Sequence, residues 1–363
     1  MDQNRYQRQL QLPGFGSEGQ QKLTDAKVLV IGAGGLGVPV LQYLAAMGIG
    51  TLGIVDADKV SLSNLHRQVI YTPADVGEMK VDCCMDKLKA QNQDIQFQVY
   101  PVFLSPDNAL DIVKDYDLVV DATDNFNARY LINDACVILG KPFVYGALQQ
   151  FEGHVSVFNY LKGPTYRCLY PDPPSEGQIP DCNTAGVLGI VPGLIGSYQA
   201  LEAIKIITGL GTPLSGLLQV FDFLQNSQYQ IKLIAKPENK NIREIKLPET
   251  SSLCAADESI SAEQLSDWIR GEKAFQLIDV REAPEYRSGH LQAAFSVPLS
   301  RLNGKLPELP QDQPWVIMCQ QGGRSKKALQ YIKERQPELT VFNLEGGMTE
   351  WINQYGEETV VQA

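Results

Sequence analysis

Residues 27–60 read KVLVIGAGGLGVPVLQYLAAMGIGTLGIVDADKV. The run 28–31 is short, apolar and β-branched, Gly32-Ala33-Gly34-Gly35-Leu36-Gly37 follows at once, and 38–47 carries apolar residues at helical spacing. This predicts strand, tight turn and helix. A second apolar run, 51–55, ends on Asp56. Glycines let the backbone turn sharply and approach a phosphate, whose charge meets free N–H groups at the helix start. An acid about 20 residues on accepts from ribose hydroxyls. The stretch predicts a nucleotide site in an α/β fold. A dinucleotide and hydride chemistry are the default for such a motif, and only residues downstream overturn it.

The chain has 363 residues, more than one ordinary core accommodates, which predicts two domains. Net charge is −11 and no basic stripe is present, which argues against nucleic acid and against an anionic membrane surface. The first fifteen residues are polar and lack the apolar centre of a signal peptide. Residues 185–207 form the longest apolar stretch. Pro192, Gln199, Glu202, Lys205 and several glycines interrupt it, so a buried helix is expected rather than a membrane span. Seven scattered cysteines do not form a secreted disulfide framework, and a reducing cytoplasm is the expected location.

Residues 5–9, RYQRQ, have no evident place in a core and read as a solvated, frayed segment. Beyond Asp56 comes a polar loop, 61–68, where a dehydrogenase ordinarily continues into helix and strand. Asn64 and Arg67 are three apart, on one side of a helical turn, with the arginine offering a planar fork to phosphate oxygens. His66 reads as a surface or packing residue, having no metal-type neighbour at ligand spacing. Lys80 opens an amphipathic helix running to Lys89. Residues 117–121 form another buried strand, with Ala122-Thr123-Asp124-Asn125 at its carboxyl end, where open α/β sheets bind ligands. Asp124 near a phosphate needs a cation between the two anions, which implies Mg²⁺. Asp124 or Asn127 also suits the cap of a helix over 128–139.

Arg-Tyr-x-Arg-Gln at 5–9, Gly-x-Gly-Gly-Leu-Gly, Asp56-x-Asp58, Ser63-Asn64-Leu65-x-Arg67-Gln68, Lys80 and Asp121-Ala-Thr-Asp124-Asn125, in this order, carry a resemblance. Over residues 5–235 the chain resembles the adenylyltransferases that activate ubiquitin-like sulfur carriers, of the molybdopterin-synthase and thiamine-pathway type. The resemblance implies a nucleotide set of Gly35, Asp56, Ser63, Asn64, Leu65, His66, Arg67, Lys80, Asp124 and Asn125, with ATP as cofactor and Mg²⁺ on Asp124. It implies that Arg8 is an arginine finger reaching the neighbouring protomer of a homodimer, which reverses the frayed reading of the N-terminus. The physical logic agrees: a carboxylate attacking an α-phosphate brings anion to anion, and cations must cancel the charge.

Thr165-Tyr-Arg-Cys168 and Asp181-Cys182-Asn183 flank a Pro- and Gly-rich stretch, 171–180, expected to be a loop. Many family members hold zinc with two C-x-x-C pairs. Here the first is reduced to Cys168, with Thr165 at its partner position, and near the second only Cys254 remains, so no zinc is predicted. The resemblance places in this crossover loop a reactive cysteine, Cys182, that links covalently to the carrier or its persulfide; a buried or incidental thiol is the alternative.

Residues 221–234 alternate as β-structure, and the polar, Pro-containing segment from Lys236 to Ser252 marks the boundary between domains 1–247 and 257–363. Ser261 to Gln264 forms a capping box before a helix to Arg270. Close αβ alternation then predicts a small doubly wound domain. Cys319 stands at a strand end, before Gln320-Gln321-Gly322-Gly323-Arg324-Ser325 and a helix, so backbone N–H groups and Arg324 are expected to depress its pKa and stabilise a persulfide.

This half resembles the rhodanese sulfurtransferases on residues 277–282, Glu285-Tyr286, Gly289-His290-Leu291, Pro298-Leu299, the loop 319–324 and Leu344-Glu-Gly-Gly347 before Trp351. The fold class expected is therefore α/β, a Rossmann-like doubly wound adenylation domain followed by a small α/β rhodanese domain. The resemblance implies adenylation of the C-terminal glycine of a ubiquitin-like sulfur carrier ending in Gly-Gly. Sulfur transfer from a Cys319 persulfide follows, loaded from thiosulfate or a cysteine desulfurase, with Arg8, Asp124, Cys182, Cys319 and Arg324 as catalytic residues. The alternatives are an NAD-dependent oxidoreductase, which Arg67, Lys80 and Asp124 argue against, and a regulatory binding protein.

Overall fold

The computed structural model describes residues 3–172, 186–245, 259–271, 273–302, 310 and 312–361. The chain divides into two compact units, Met1–Pro248 and Glu249–Ala363.

The first unit opens with α1 (Gln3–Leu10), α2 (Gly16–Asp25), β1 (Lys27–Ile31), α3 (Gly37–Met47), β2 (Thr51–Val55), α4 (Lys80–Gln91) and β3 (Gln96–Tyr100). It continues through α5 (Ala109–Val113), β4 (Leu118–Asp121), α6 (Phe126–Ile138), β5 (Phe143–Gln149), β6 (Glu152–Phe158) and α7 (Tyr166–Leu169). After α8 (Ile190–Thr208) it closes with β7 (Leu217–Asp222) and β8 (Ser227–Lys232). The eight strands form one sheet in the order β3-β2-β1-β4-β5-β6-β7-β8. The first five are parallel and the last three are added antiparallel. Strand order reverses beside β1, which makes the carboxyl ends of β1 and β4 the crevice of the sheet.

Strand periodicity splits the core between the two faces. Val28, Val30, Leu52, Ile54 and Val120 pack on one side, and Leu29, Ile31, Val55 and Val119 on the other. A parallel sheet covered on both faces needs continuous apolar runs, which β1 and β2 supply. The apolar stretch of 185–207 becomes the core helix α8, half of it buried. Gly146 on β5 admits it, since a Cβ there would stand 2.3 Å from Gln199.

Two local expectations are corrected. The N-terminal segment is helical rather than frayed: Tyr6 is 2% exposed, and its hydroxyl accepts from Asn92 Nδ2 at 2.8 Å. A helix of eight residues shows too few turns for periodicity to reveal, and its anchor comes from residues far along the chain. The helix after β4 starts earlier than predicted, with Asn125, not Asp124 or Asn127, as its cap; Asn125 Oδ1 accepts from Ala128 N at 2.9 Å.

The second unit contains β9 (Ser259–Ile260), α9 (Ala262–Arg270), β10 (Gln276–Asp279), α10 (Ala283–Ser288), β11 (His290–Leu291), β12 (Phe295–Ser296) and α11 (Leu299–Leu302). Then follow β13 (Trp315–Met318), α12 (Gly323–Arg335), β14 (Val341–Leu344), α13 (Gly347–Tyr355) and β15 (Val360–Val361). Its main sheet is parallel, in the order β12-β10-β13-β14-β9. The capping box is reciprocal: Ser261 Oγ accepts from Gln264 N at 3.1 Å, and Gln264 Oε1 from Ser261 N at 3.0 Å.

Candidate functional site

In the first unit the site grows from the turn between β1 and α3. Gly32 has φ +103°, and a Cβ there would stand 2.6 Å from the carbonyl oxygen of Ala122 at the end of β4. A side chain at Gly37 would meet the Gly32 carbonyl at 1.8 Å. Only glycine lets the turn close against both strands. Asp56, the first residue beyond β2, accepts from Ala33 N at 2.7 Å and from Asp58 N at 2.8 Å. Burial pushes its carboxyl above the usual range, with the Lys80 ammonium and these two N–H bonds pulling against it.

Lys80, at the start of α4, is 4% exposed, and its Nζ lies 2.7 Å from Asp58 Oδ2. The pair joins a buried ammonium to an exposed carboxylate, an arrangement chemically able to take a second anion. Tyr71, which sequence reasoning missed, joins these parts. Its buried hydroxyl lies 2.9 Å from the Ala33 carbonyl and 3.3 Å from that of Lys80. Nothing local distinguishes this tyrosine from a packing residue.

In the intervening loop, Leu62–Asn64 makes one 3₁₀ turn. Arg67 Nη1 lies 3.2 Å from Ser63 O and 2.8 Å from His66 Nε2. Ser63 and His66 are exposed, and Asn64, Leu65 and Arg67 are half-buried. Gly35 lies under this loop, a Cβ there falling 3.1 Å from Pro192 and 3.5 Å from Arg67. Asp124 and Asn125 are exposed at the carboxyl end of β4. Asp121 behind them is fully buried, accepts from Thr123 N at 3.0 Å, and is pushed up by burial. Arg8 is exposed on α1, and Cys182 lies outside the described residues.

Thr165 and Cys168 face Lys236 and Asn239, two pairs of the same i, i+3 spacing. Cys168 Sγ accepts from Lys236 N at 3.3 Å and from Thr165 N at 3.4 Å, with Asn239 Nδ2 at 4.0 Å. Burial pushes this thiol up, but the donors outweigh it and hold it below the ordinary cysteine range. Cys254, the other cysteine considered for zinc, lies outside the described residues.

In the second unit the loop after β13 wraps around Cys319, which is 2% exposed. Gly322, with φ +90°, points its N–H at Cys319 Sγ from 3.2 Å, and Ser325 Oγ lies 3.4 Å away. Gly347 is required because a Cβ there would meet the Cys319 carbonyl at 2.3 Å. Met348 N donates to that same carbonyl at 2.9 Å.

Arg324, expected to act on Cys319 together with the loop N–H groups, also forks onto Glu285, with Nη1 to Oε2 and Nη2 to Oε1 both at 2.6 Å. The arginine holds the Glu285 carboxyl below the usual carboxylate range. Arg281 is likewise paired with Asp279 at 2.7 Å, while its Nη1 donates to Gln320 Oε1 at 3.1 Å. His290 stacks on Tyr286 with centroids 3.9 Å apart. The sulfur therefore faces one backbone N–H and one hydroxyl, with the guanidinium charges largely committed to carboxylates.

Comparison with known proteins divides the chain in the same two parts. The ThiF family model matches residues 6–243, and the Rhodanese-like domain model matches residues 261–354. The "Probable adenylyltransferase/sulfurtransferase MoeZ" of Mycobacterium tuberculosis is 42% identical over 372 residues, covering 98% of this chain and 94% of that protein. The "Sulfur carrier protein adenylyltransferase" of Thermus thermophilus is 51% identical over 239 residues, covering 64% of this chain and 88% of its own. The "Adenylyltransferase and sulfurtransferase MOCS3-1" of Zea mays is 38% identical over 378 residues, covering 96% and 81%. Among solved structures, Escherichia coli MccB with ATP superposes with a TM-score of 0.57 at 24% identity, over 65% of this chain and 73% of that one, which is a likeness of fold.

Proposed function

The chain belongs to the ThiF family and carries a rhodanese-like domain behind it, and from this premise we propose how its two units divide one reaction. It is an adenylyltransferase and sulfurtransferase acting on a sulfur-carrier protein. The carrier is ubiquitin-like and ends in Gly-Gly. The observation that carries the reading is the Asp56–Ala33 and Lys80–Asp58 pairing around a turn that only glycine can make.

The first unit binds ATP. Asp56 takes the ribose hydroxyls, and Gly35 lies against the nucleotide. Asn64, Arg67 and Lys80 face the phosphates, with Ser63, Leu65, His66 and Asn125 shaping the loops around them. The chain's donors fit the group: a buried ammonium, a guanidinium fork and an exposed Asp124 carboxylate at the sheet crevice. Asp124 would hold Mg²⁺, which when bound would neutralise the negative charge of the phosphates. Arg8 of a second copy completes the cationic set. The apolar stripe of Ile190, Leu194, Tyr198 and Leu201, exposed along α8, supports a homodimer.

In the second unit Cys319 carries sulfur from thiosulfate or a cysteine desulfurase as a persulfide. Its outer sulfur attacks the carrier acyl-adenylate and AMP leaves, giving an acyl disulfide. Cys182 then attacks the Cys319 sulfur, the carrier departs as a thiocarboxylate, and a cellular thiol reduces the Cys182–Cys319 disulfide. Arg324, released from Glu285, binds the anionic donor. No zinc takes part in this reading, since Cys168 and Cys254 are only half of a four-thiol set; one equivalent of zinc per purified chain would overturn that. A cytoplasmic location belongs to the same proposal.

Carrier-dependent ATP–pyrophosphate exchange tests the reading. Exchange with one Gly-Gly-ended carrier from a panel serving molybdenum cofactor and thiamine synthesis supports it and identifies the pathway. No exchange with any carrier, in protein that binds ATP, would overturn it.

A further inference from the structure

Ser325, fully buried near the start of α12, has three acceptors for one hydroxyl hydrogen: Asn343 Oδ1 at 2.6 Å, Gly322 O at 3.0 Å and Cys319 Sγ at 3.4 Å. The shortest bond takes the hydrogen, leaving a lone pair toward the sulfur. That suits a protonated thiol, whose S–H donates to Ser325. It does not suit a thiolate, which is stabilised only by donors. Gly322 N–H provides one; with the Ser325 hydrogen on Asn343, no second is present among the described residues.

Asn343, on β14, is 1% exposed, and its Nδ2 has no hydrogen-bond partner among the described residues. A buried amide nitrogen without an acceptor is costly, more so than an unfilled carbonyl. One rotation supplies the missing donor and leaves Oδ1, the less costly group to leave unfilled, in the unpartnered place. Turning the amide half a revolution exchanges Nδ2 and Oδ1 in nearly the same space. Nδ2 then donates to Ser325 Oγ, and the hydroxyl hydrogen is freed for its two remaining acceptors, Gly322 O at 3.0 Å and Cys319 Sγ at 3.4 Å, of which a thiolate, with its full charge and the longer bonds that sulfur makes, is the stronger.

We propose that Asn343 is a positioning residue of the sulfur site: by donating to Ser325, its amide directs the Ser325 hydroxyl hydrogen onto Cys319 Sγ when that sulfur is a thiolate. The thiolate is the form that accepts sulfur from a donor, so the use of this device rests on the sulfurtransferase reading, while its geometry does not. The charged groups around the thiol are Arg324 with Glu285 and Arg281 with Asp279. Neither pair includes Asn343 or Ser325.

The test is the pH profile of iodoacetamide alkylation of Cys319 in the full chain, read on its own peptide by mass spectrometry. Asn343→Leu and Ser325→Ala are each expected to raise the midpoint by about one pH unit, and the double variant no further than either alone. The proposal is overturned if Asn343→Leu leaves the midpoint in place, or if the two shifts add. If circular dichroism finds the leucine variant unfolded, Asn343→Asp replaces it: its carboxylate only accepts, so its shift must shrink in the Ser325→Ala background, and an equal shift in both overturns the proposal. Failure of the wild-type chain to take sulfur from thiosulfate or a desulfurase would break the sulfurtransferase reading instead, leaving the alkylation profile to judge Asn343.

Discussion

Asp56 Oδ2 accepts from the backbone N–H of Ala33 at 2.7 Å, a bond that ties the glycine turn to the residue following β2. One carboxylate therefore sets the turn's shape and offers its remaining lone pairs to a ligand. Asp56→Ala is expected to weaken ATP binding at least tenfold by calorimetry, because a charge-assisted bond contributes about 1.5–3 kcal/mol. Asp56→Asn, which keeps one acceptor, should fall between. Unchanged affinity in the alanine variant would exclude the ribose role.

Gly32→Ala brings a methyl group to 2.6 Å from the Ala122 carbonyl at a positive φ. A loss of about 1–3 kcal/mol in urea stability is expected. Gly193→Ala is the control: nothing stands within 4 Å of its Cβ position in α8, and a gain of up to about 1 kcal/mol is expected there. Equal effects at the two glycines would refute the steric account.

The proposed division of labour separates two assays. Asp124→Ala should abolish carrier-dependent pyrophosphate exchange while leaving thiosulfate turnover at Cys319 intact. Cys319→Ala should do the reverse. A Cys319 variant that loses both, while folded by circular dichroism, would contradict the division.

Glu285→Gln releases Arg324 from its fork. Because the folded carboxyl lies below its usual range, the pair stabilises above the ordinary carboxylate pKa, and that contribution is lost as pH falls through the folded value. Being partly exposed, the pair is expected to contribute no more than about 1 kcal/mol at neutral pH, fading in acid. The freed guanidinium should speed alkylation of Cys319 by iodoacetate several-fold; a slower reaction would show that Glu285 orders the loop rather than restraining Arg324.

Burial pushes the Cys168 thiol up, but the backbone and side-chain donors around its sulfur together outweigh it and hold the thiol below the ordinary range. Its folded pKa is depressed, so between the folded and unfolded values the unfolded chain binds more protons, and stability rises with pH. The wild-type chain should gain urea stability over Cys168→Ser between pH 7 and pH above about 9, the gain being complete above the unfolded value. A difference that does not change with pH would mean that the donors hold the neutral thiol.

The strand, turn and helix at 27–47, the acid after β2 and the Ser261 capping box were legible because each is made by residues within one or two turns of one another. Period, glycine and cap are local quantities, and no distant part of the chain can rewrite them cheaply. Other features were not legible. Tyr6 is anchored by Asn92, Lys80 is buried against Asp58, and Tyr71 bridges Ala33 and Lys80. Cys168 takes two of its donors, Lys236 N and Asn239 Nδ2, from beyond β8.

Arg324 shows the difference most clearly. Position alone led to the expectation of a cation acting on Cys319. Whether the charge acts on the sulfur depended on Glu285, 39 residues away, whose carboxylate holds both guanidinium nitrogens at 2.6 Å. Fold class and the order of the two domains were determined by the sequence through short-range geometry and residue identity. Which charges are committed and which remain available was decided only by tertiary structure, because pairing falls off within a few ångströms and those distances exist only once the chain has folded.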